Sequence, residues 1–106
     1  MASKSSRELE SDLAIHPGEL LGEELEVRGM TQKALAEAMQ RPAQVINEIV
    51  RGRKAISADT AVQLEEVLRI SAQLWLGLQS RYDLVLARRA QAAQASRRAQ
   101  PVAASL

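Results

Sequence analysis

Gln44 and Asn47 stand three residues apart in a stretch that also carries Val45, Ile46, Ile49 and Val50. At helical spacing the two amides share an outward face and the aliphatic residues an inward one. An amide presents a donor and an acceptor side by side, which matches the edge of an adenine and suits direct base readout. Glu48, also outward, has the chemistry to accept from a cytosine amino group or to repel phosphates from a wrong register. Ala43 opens the stretch and Arg51 closes it. A flexible Gly52 then leads to Arg53 and Lys54, so three cations stand together where a phosphate backbone can be clamped. Upstream, Gln32 sits at the start of another short helix, a place where amides commonly meet phosphate. The candidate nucleic-acid residues are therefore Gln32, Ala43, Gln44, Asn47, Glu48, Arg51, Arg53 and Lys54.

Other chemistries are poorly supplied. The chain has no cysteine and one histidine, which excludes disulfides, thiolate metal sites and multi-histidine metal sites. No acid-base pair, nucleophile or phosphate-cradling glycine loop is present, so no catalytic residue, cofactor or metal is expected. His16 precedes Pro17, Gly18 and Glu19 and reads as part of a helix start, not as a ligand or base. The net charge is only +1, but the charge is segregated. Residues 17–39 hold five acidic and two basic side chains, residues 40–54 one acidic and four basic, and residues 87–106 four arginines with no acid. For a polyanionic partner, that segregation matters more than the sum.

The elements that must position these side chains are all helical. Pro17 to Arg28 carries Leu20, Leu21, Leu25 and Val27 and stops at Gly29. Thr31 caps a short helix through Met39. Gln40, Arg41 and Pro42 form a tight turn, because proline disfavours helix at the residue before it. The next helix runs from about Ala43 to Arg51. Ser57 caps a fourth, in which Ala61, Leu64 and Leu68 share a face. Ser71 caps a fifth, with a stripe of Leu74, Trp75, Leu78, Tyr82 and Val85. Two short helices across a tight turn, the second ending in a basic loop, make helix-turn-helix architecture. No strand alternation occurs. At 106 residues the chain has room for one domain, and dimerising would bury surface that a small core leaves open.

From about His16 to Ala87 the sequence resembles the HigA-type antitoxins, within the larger Xre/Cro-like helix-turn-helix group. The signatures are His16-Pro17-Gly18-Glu19, the Arg51-Gly52-Arg53-Lys54-Ala55-Ile56 loop, Ala58-Asp59-Thr60-Ala61 and Leu74-Trp75-Leu76. The resemblance implies an all-α, five-helix, lambda-repressor-like domain that forms a homodimer on a palindromic operator. It also implies a HigB-like ribonuclease toxin as partner and repression of the protein's own operon. Gln40-Arg41-Pro42 departs from the commoner glycine-hydrophobic-serine turn of the group, and Gly77 stands where many relatives carry asparagine.

The expected organisation is a flexible arm over residues 1–14, the DNA-binding and dimerisation domain over 15–90, and a flexible tail over 91–106. Trp75 is assigned to the core, and Leu78, Tyr82 and Val85 to the dimer interface. Glu23, Glu24 and Glu26 are a solvated face that would also suit a cationic toxin. The tail arginines Arg88, Arg89, Arg97 and Arg98 fit either nonspecific DNA attraction or simple solvation. The N-terminus has no apolar signal region, and no run is long enough to span a membrane, so a cytoplasmic location is expected. Two alternatives stand beside the antitoxin reading: a stand-alone regulator without a toxin, and a protein-interaction module that no longer meets DNA.

Overall fold

Each helix begins where a polar side chain or a proline can deal with unpaired backbone N–H groups. The computed structural model describes residues 14–99, and these form five helices: α1 (Pro17–Arg28), α2 (Gln32–Met39), α3 (Ala43–Val50), α4 (Ala58–Leu68) and α5 (Ala72–Ala99). His16 caps α1, its Nδ1 accepting from the Gly18 N–H at 2.9 Å, with Pro17 as the first helical residue. The Thr31 hydroxyl accepts from Ala34 N–H at 2.9 Å to open α2, and the Ser57 hydroxyl from Thr60 N–H at 3.3 Å to open α4. At the start of α5, Ser71 Oγ accepts from Leu74 N–H at 3.1 Å and the Glu65 carboxylate from Ala72 N–H at 3.2 Å.

The helix ends are equally specific. Gly29, Gln40, Gly52 and Arg69 adopt left-handed backbone angles, with φ of 65°, 56°, 75° and 63°. At the end of α2, Gln40 N–H donates to Glu37 C=O and Arg41 N–H to Ala36 C=O, the paired bonds of a Schellman turn. Pro42 follows in extended conformation and precedes α3 without a side-chain cap. The turn of the helix pair is therefore three residues, as the proline requires.

The core gathers one face of each helix. Leu21 and Leu25, Leu35 and Met39, Ile46 and Ile49, Leu64 and Leu68 meet around Trp75, which is fully buried as its assignment to the core requires. Each such aliphatic side chain contributes about 1.5–3 kcal/mol on burial. Polar bridges tie helix ends to their neighbours. Gln63 Nε2 donates to the Met39 carbonyl at 3.1 Å, and Arg28 donates to the Leu68 carbonyl at 2.7 Å while pairing with Glu24 at 3.2 Å. Both carbonyls lie in last turns and have no helical partner of their own.

Residues 15–82 form one compact unit, and α5 from Asp83 onward belongs to a second. Helix α5 runs on past Arg89 and continues to Ala99. Loss of apolar periodicity there does not end the helix, because alanine, glutamine and arginine are strong helix formers without a buried face. The expected arm and tail otherwise fall on residues 1–13 and 100–106, outside the described residues. Among the described residues no helix is long and apolar enough to cross a membrane, and no cluster of histidine and carboxylate side chains is placed to hold a metal ion.

Candidate nucleic-acid interface

Helix α3 shows the two faces its pattern predicts. Ile46 and Ile49 are fully buried, Val45 and Val50 half-buried, and Gln44 and Ala43 exposed. Asn47 and Glu48 are half-buried and Arg51, Arg53 and Lys54 exposed. Asn47 does not stand alone. Its Nδ2 donates to Gln32 Oε1 at 3.1 Å, joining the first residue of α2 to the middle of α3. Gln32 thus belongs to the same polar surface as Asn47, and the structure brings them together across 15 residues of sequence. The bond uses one Asn47 N–H and leaves Asn47 Oδ1, its other N–H and both Gln32 N–H groups outside it.

The basic turn is built as firmly as the helix before it. Gly52 N–H donates to Ile49 C=O at 2.9 Å and Arg53 N–H to Glu48 C=O at 2.8 Å. With φ at 75°, Gly52 takes a left-handed angle that favours glycine, and its N–H closes a hydrogen-bonded turn. Arg51, Arg53 and Lys54 consequently project from a defined backbone.

The first turn of α1 lies directly beneath this region. A β-carbon on Gly18 would come within 1.8 Å of the Ile49 carbonyl oxygen. Only glycine permits that approach, and it sets how closely α3 sits on α1. A side chain on Gly52 would meet the His16 ring at 3.6 Å. His16 in turn makes an edge-on contact with Tyr82, with ring centroids 4.9 Å apart. The sequence signatures at residues 16–19 and 51–56 are therefore halves of one structure: a histidine cap and a close-packing glycine under a glycine turn.

Gln79 is a residue the sequence reading overlooks. It is only 6% exposed, and its Oε1 accepts from the Ile56 N–H at 2.8 Å. The signal was available: Trp75, Gln79 and Tyr82 are spaced i, i+4, i+7, so a polar residue stands on the inward stripe of α5. Val85 is 5% exposed, and Leu78 and Tyr82 are half-buried. The exposed aliphatic side chains of α5 are Leu74, Leu84 and Leu86. On α1, Glu23 and Glu26 are exposed, and together with Glu19 and Gln32 they edge a groove of about 540 Å³ floored by Gly18 and Gly22. Glu24 is engaged by Arg28.

Two helices locked across a three-residue turn, with an amide pair on the outer face and a cationic turn beyond it, define a helix-turn-helix protein. The helix-turn-helix family model HTH_3 matches residues 21–75. Virulence-associated protein I of Dichelobacter nodosus is 48% identical over 75 residues, covering 70% of this chain and 69% of that protein. The structure is similar to that of the Pseudomonas aeruginosa antitoxin HigA, solved with the higBA promoter, at a TM-score of 0.74 and 40% identity over 85% of this chain and 99% of the other. A Coxiella burnetii antidote protein of the HigA family aligns at a TM-score of 0.71 with 33% identity, over 82% and 96% of the two chains. The chain belongs to the Xre-like helix-turn-helix family and is of the HigA type.

Proposed function

We propose that this chain is a sequence-specific DNA-binding antitoxin that represses its own operon as a dimer and neutralises a HigB-like ribonuclease toxin. Helix α3 enters the major groove. Asn47 and Gln44 read base edges, with Ala43 and Glu48 flanking them, and Gln32 holds Asn47 while facing the backbone. Arg51, Arg53 and Lys54 bind phosphates and supply much of the affinity, so binding weakens steeply with salt. A two-fold dimer spaces the two reading helices by one DNA turn, roughly 34 Å. Helix α5 supplies that contact from the stripe of Leu78, Tyr82 and Val85. The half-buried Leu78 and Tyr82, and the exposed Leu74 one turn from Leu78, have surface left to bury. Glu23 and Glu26 offer a cationic toxin an acidic surface.

The observation that carries this reading is the Gln32–Asn47 amide pair on an outward helix face, followed at once by the rigid cationic turn. The relative solved with promoter DNA supports it. The test is co-expression with the genomic neighbour, followed by co-purification and binding to the chain's own promoter fragment. Capture of a basic ribonuclease together with a promoter shift is the expected result. A promoter shift with no such neighbour favours a stand-alone regulator, and capture without any shift favours a protein-interaction module.

A further inference from the structure

The loop that carries Arg53 and Lys54 is held from α5 on two sides. Downstream, the Ile56 N–H has no helical or strand partner. It lies beside a buried side chain, and Gln79 supplies its acceptor at 2.8 Å from a position itself only 6% exposed. Upstream, a β-carbon at Gly52 would lie 3.6 Å from the His16 ring, and His16 meets Tyr82 edge-on. Gln79 and Tyr82 are three residues apart and so share a face of α5. Between these two supports stand Arg53 and Lys54, both exposed. The backbone from Gly52 to Ile56 is thus hydrogen-bonded at each end, Gly52 to Ile49 and Ile56 to Gln79, while the cationic side chains between are exposed.

We infer that Gln79 is a positioning residue for phosphate binding, fixing the Arg53–Lys54 turn at the depth that lets α3 and the cations engage one duplex together. This rests on the proposed phosphate role of that turn. A buried backbone N–H stays paired wherever the fold can supply a partner, so removing the Gln79 oxygen drives the segment outward to find water. The cations then no longer sit in register with the backbone while α3 reads bases. Helix α5 thereby contributes to the grip on nucleic acid without touching it.

The experiment compares wild type, Gln79→Met and an Arg53→Ala/Lys54→Ala double variant, measuring affinity for the promoter fragment and for scrambled DNA across a salt series. Gln79→Met keeps the approximate length of the side chain and removes both polar atoms of its amide, the oxygen that accepts from Ile56 among them. The expected result is that the double variant flattens the log–log salt slope by about 1.8 per half-site, or 0.9 per phosphate, which is about 3.6 for a bound dimer, and that Gln79→Met flattens it in the same direction. The preference for promoter over scrambled DNA stays near the wild-type ratio in both. Faster hydrogen exchange at the Ile56 amide in Gln79→Met accompanies the change. If Gln79→Met does not fold, Gln79→Asn, one methylene too short to reach, takes its place. A wild-type slope in the Gln79 variant beside a flattened one in the double variant overturns the inference alone. A wild-type slope in the double variant overturns the phosphate role of the turn and the inference with it. A loss shared by all DNA with the slope unchanged marks Gln79 as merely structural and also overturns the inference.

Discussion

Asn47 donates a side-chain hydrogen bond of 3.1 Å to Gln32, so the residue expected to read a base is held by the residue expected to meet the backbone. An unrestrained asparagine loses rotamer freedom when it binds; one already held loses less. The bond also sets which polar atoms of each amide remain for DNA.

That arrangement makes Asn47 the most informative substitution. Asn47→Ala removes a base contact worth about 1–3 kcal/mol of discrimination and frees Gln32. The expected outcome is a relaxed sequence preference with nonspecific binding nearly unchanged. Competition between operator and scrambled duplexes measures it, and an equal loss on both DNAs contradicts base readout by Asn47.

Three glycines separate space from propensity. Alanine at Gly77, exposed in mid-helix with nothing near its would-be β-carbon, gains about 1 kcal/mol of helix propensity. At Gly22 the nearest atom is Val50 Cγ1 at 3.4 Å, which a side-chain adjustment accommodates, so Gly22→Ala is near neutral or mildly stabilising. At Gly18 the β-carbon would meet the Ile49 carbonyl, a backbone atom that cannot turn away. Gly18→Ala therefore destabilises by about 1–3 kcal/mol despite the propensity gain, and weakens DNA binding because α3 must shift. Denaturant unfolding of the three variants gives the order Gly77→Ala, Gly22→Ala, Gly18→Ala from most to least stable. A Gly18→Ala protein as stable as wild type would show that α1 and α3 can separate freely.

The turn of the helix pair gives a prediction of the opposite sign. Gln40 carries φ of 56°, a left-handed angle that costs a residue with a β-carbon about 1–2 kcal/mol. Glycine removes that cost and adds about 0.4–1 kcal/mol of unfolded-state entropy. Gln40→Gly is therefore expected to stabilise by roughly 0.5 kcal/mol, read as a small rise in denaturation midpoint with an unchanged slope. A clear loss of stability would mean that the Gln40 side chain makes a contribution its exposure does not reveal.

Much of this architecture was legible because it is written locally. The His16-Pro17 start, the Thr31 and Ser57 caps and the proline after Arg41 each act within a few residues, and the aliphatic spacing of α3 identifies its inward face. What escaped is the choice of partners. Periodicity says that Gln79 lies on the inward stripe of α5 but not that it meets Ile56, 23 residues earlier. Nor does it say that Arg28 reaches the carbonyl of Leu68, 40 residues away. Such pairs are set by how helices dock, and a single chain records only which side of each helix is apolar.

His16 joins local and long-range roles, and two substitutions separate them. His16→Asn keeps an acceptor for the Gly18 N–H, since asparagine is among the best helix-capping residues. It loses the ring that backs Gly52 and meets Tyr82. His16→Ala loses both. The cap is worth about 1 kcal/mol, so unfolding experiments place His16→Ala below His16→Asn by roughly that amount. DNA binding separates the two roles further. If the ring supports the basic turn, His16→Asn weakens promoter binding and flattens its salt dependence although α1 is properly capped. A His16→Asn protein that binds with wild-type affinity and wild-type salt slope would confine His16 to starting its helix and leave the glycine turn able to hold its shape unaided.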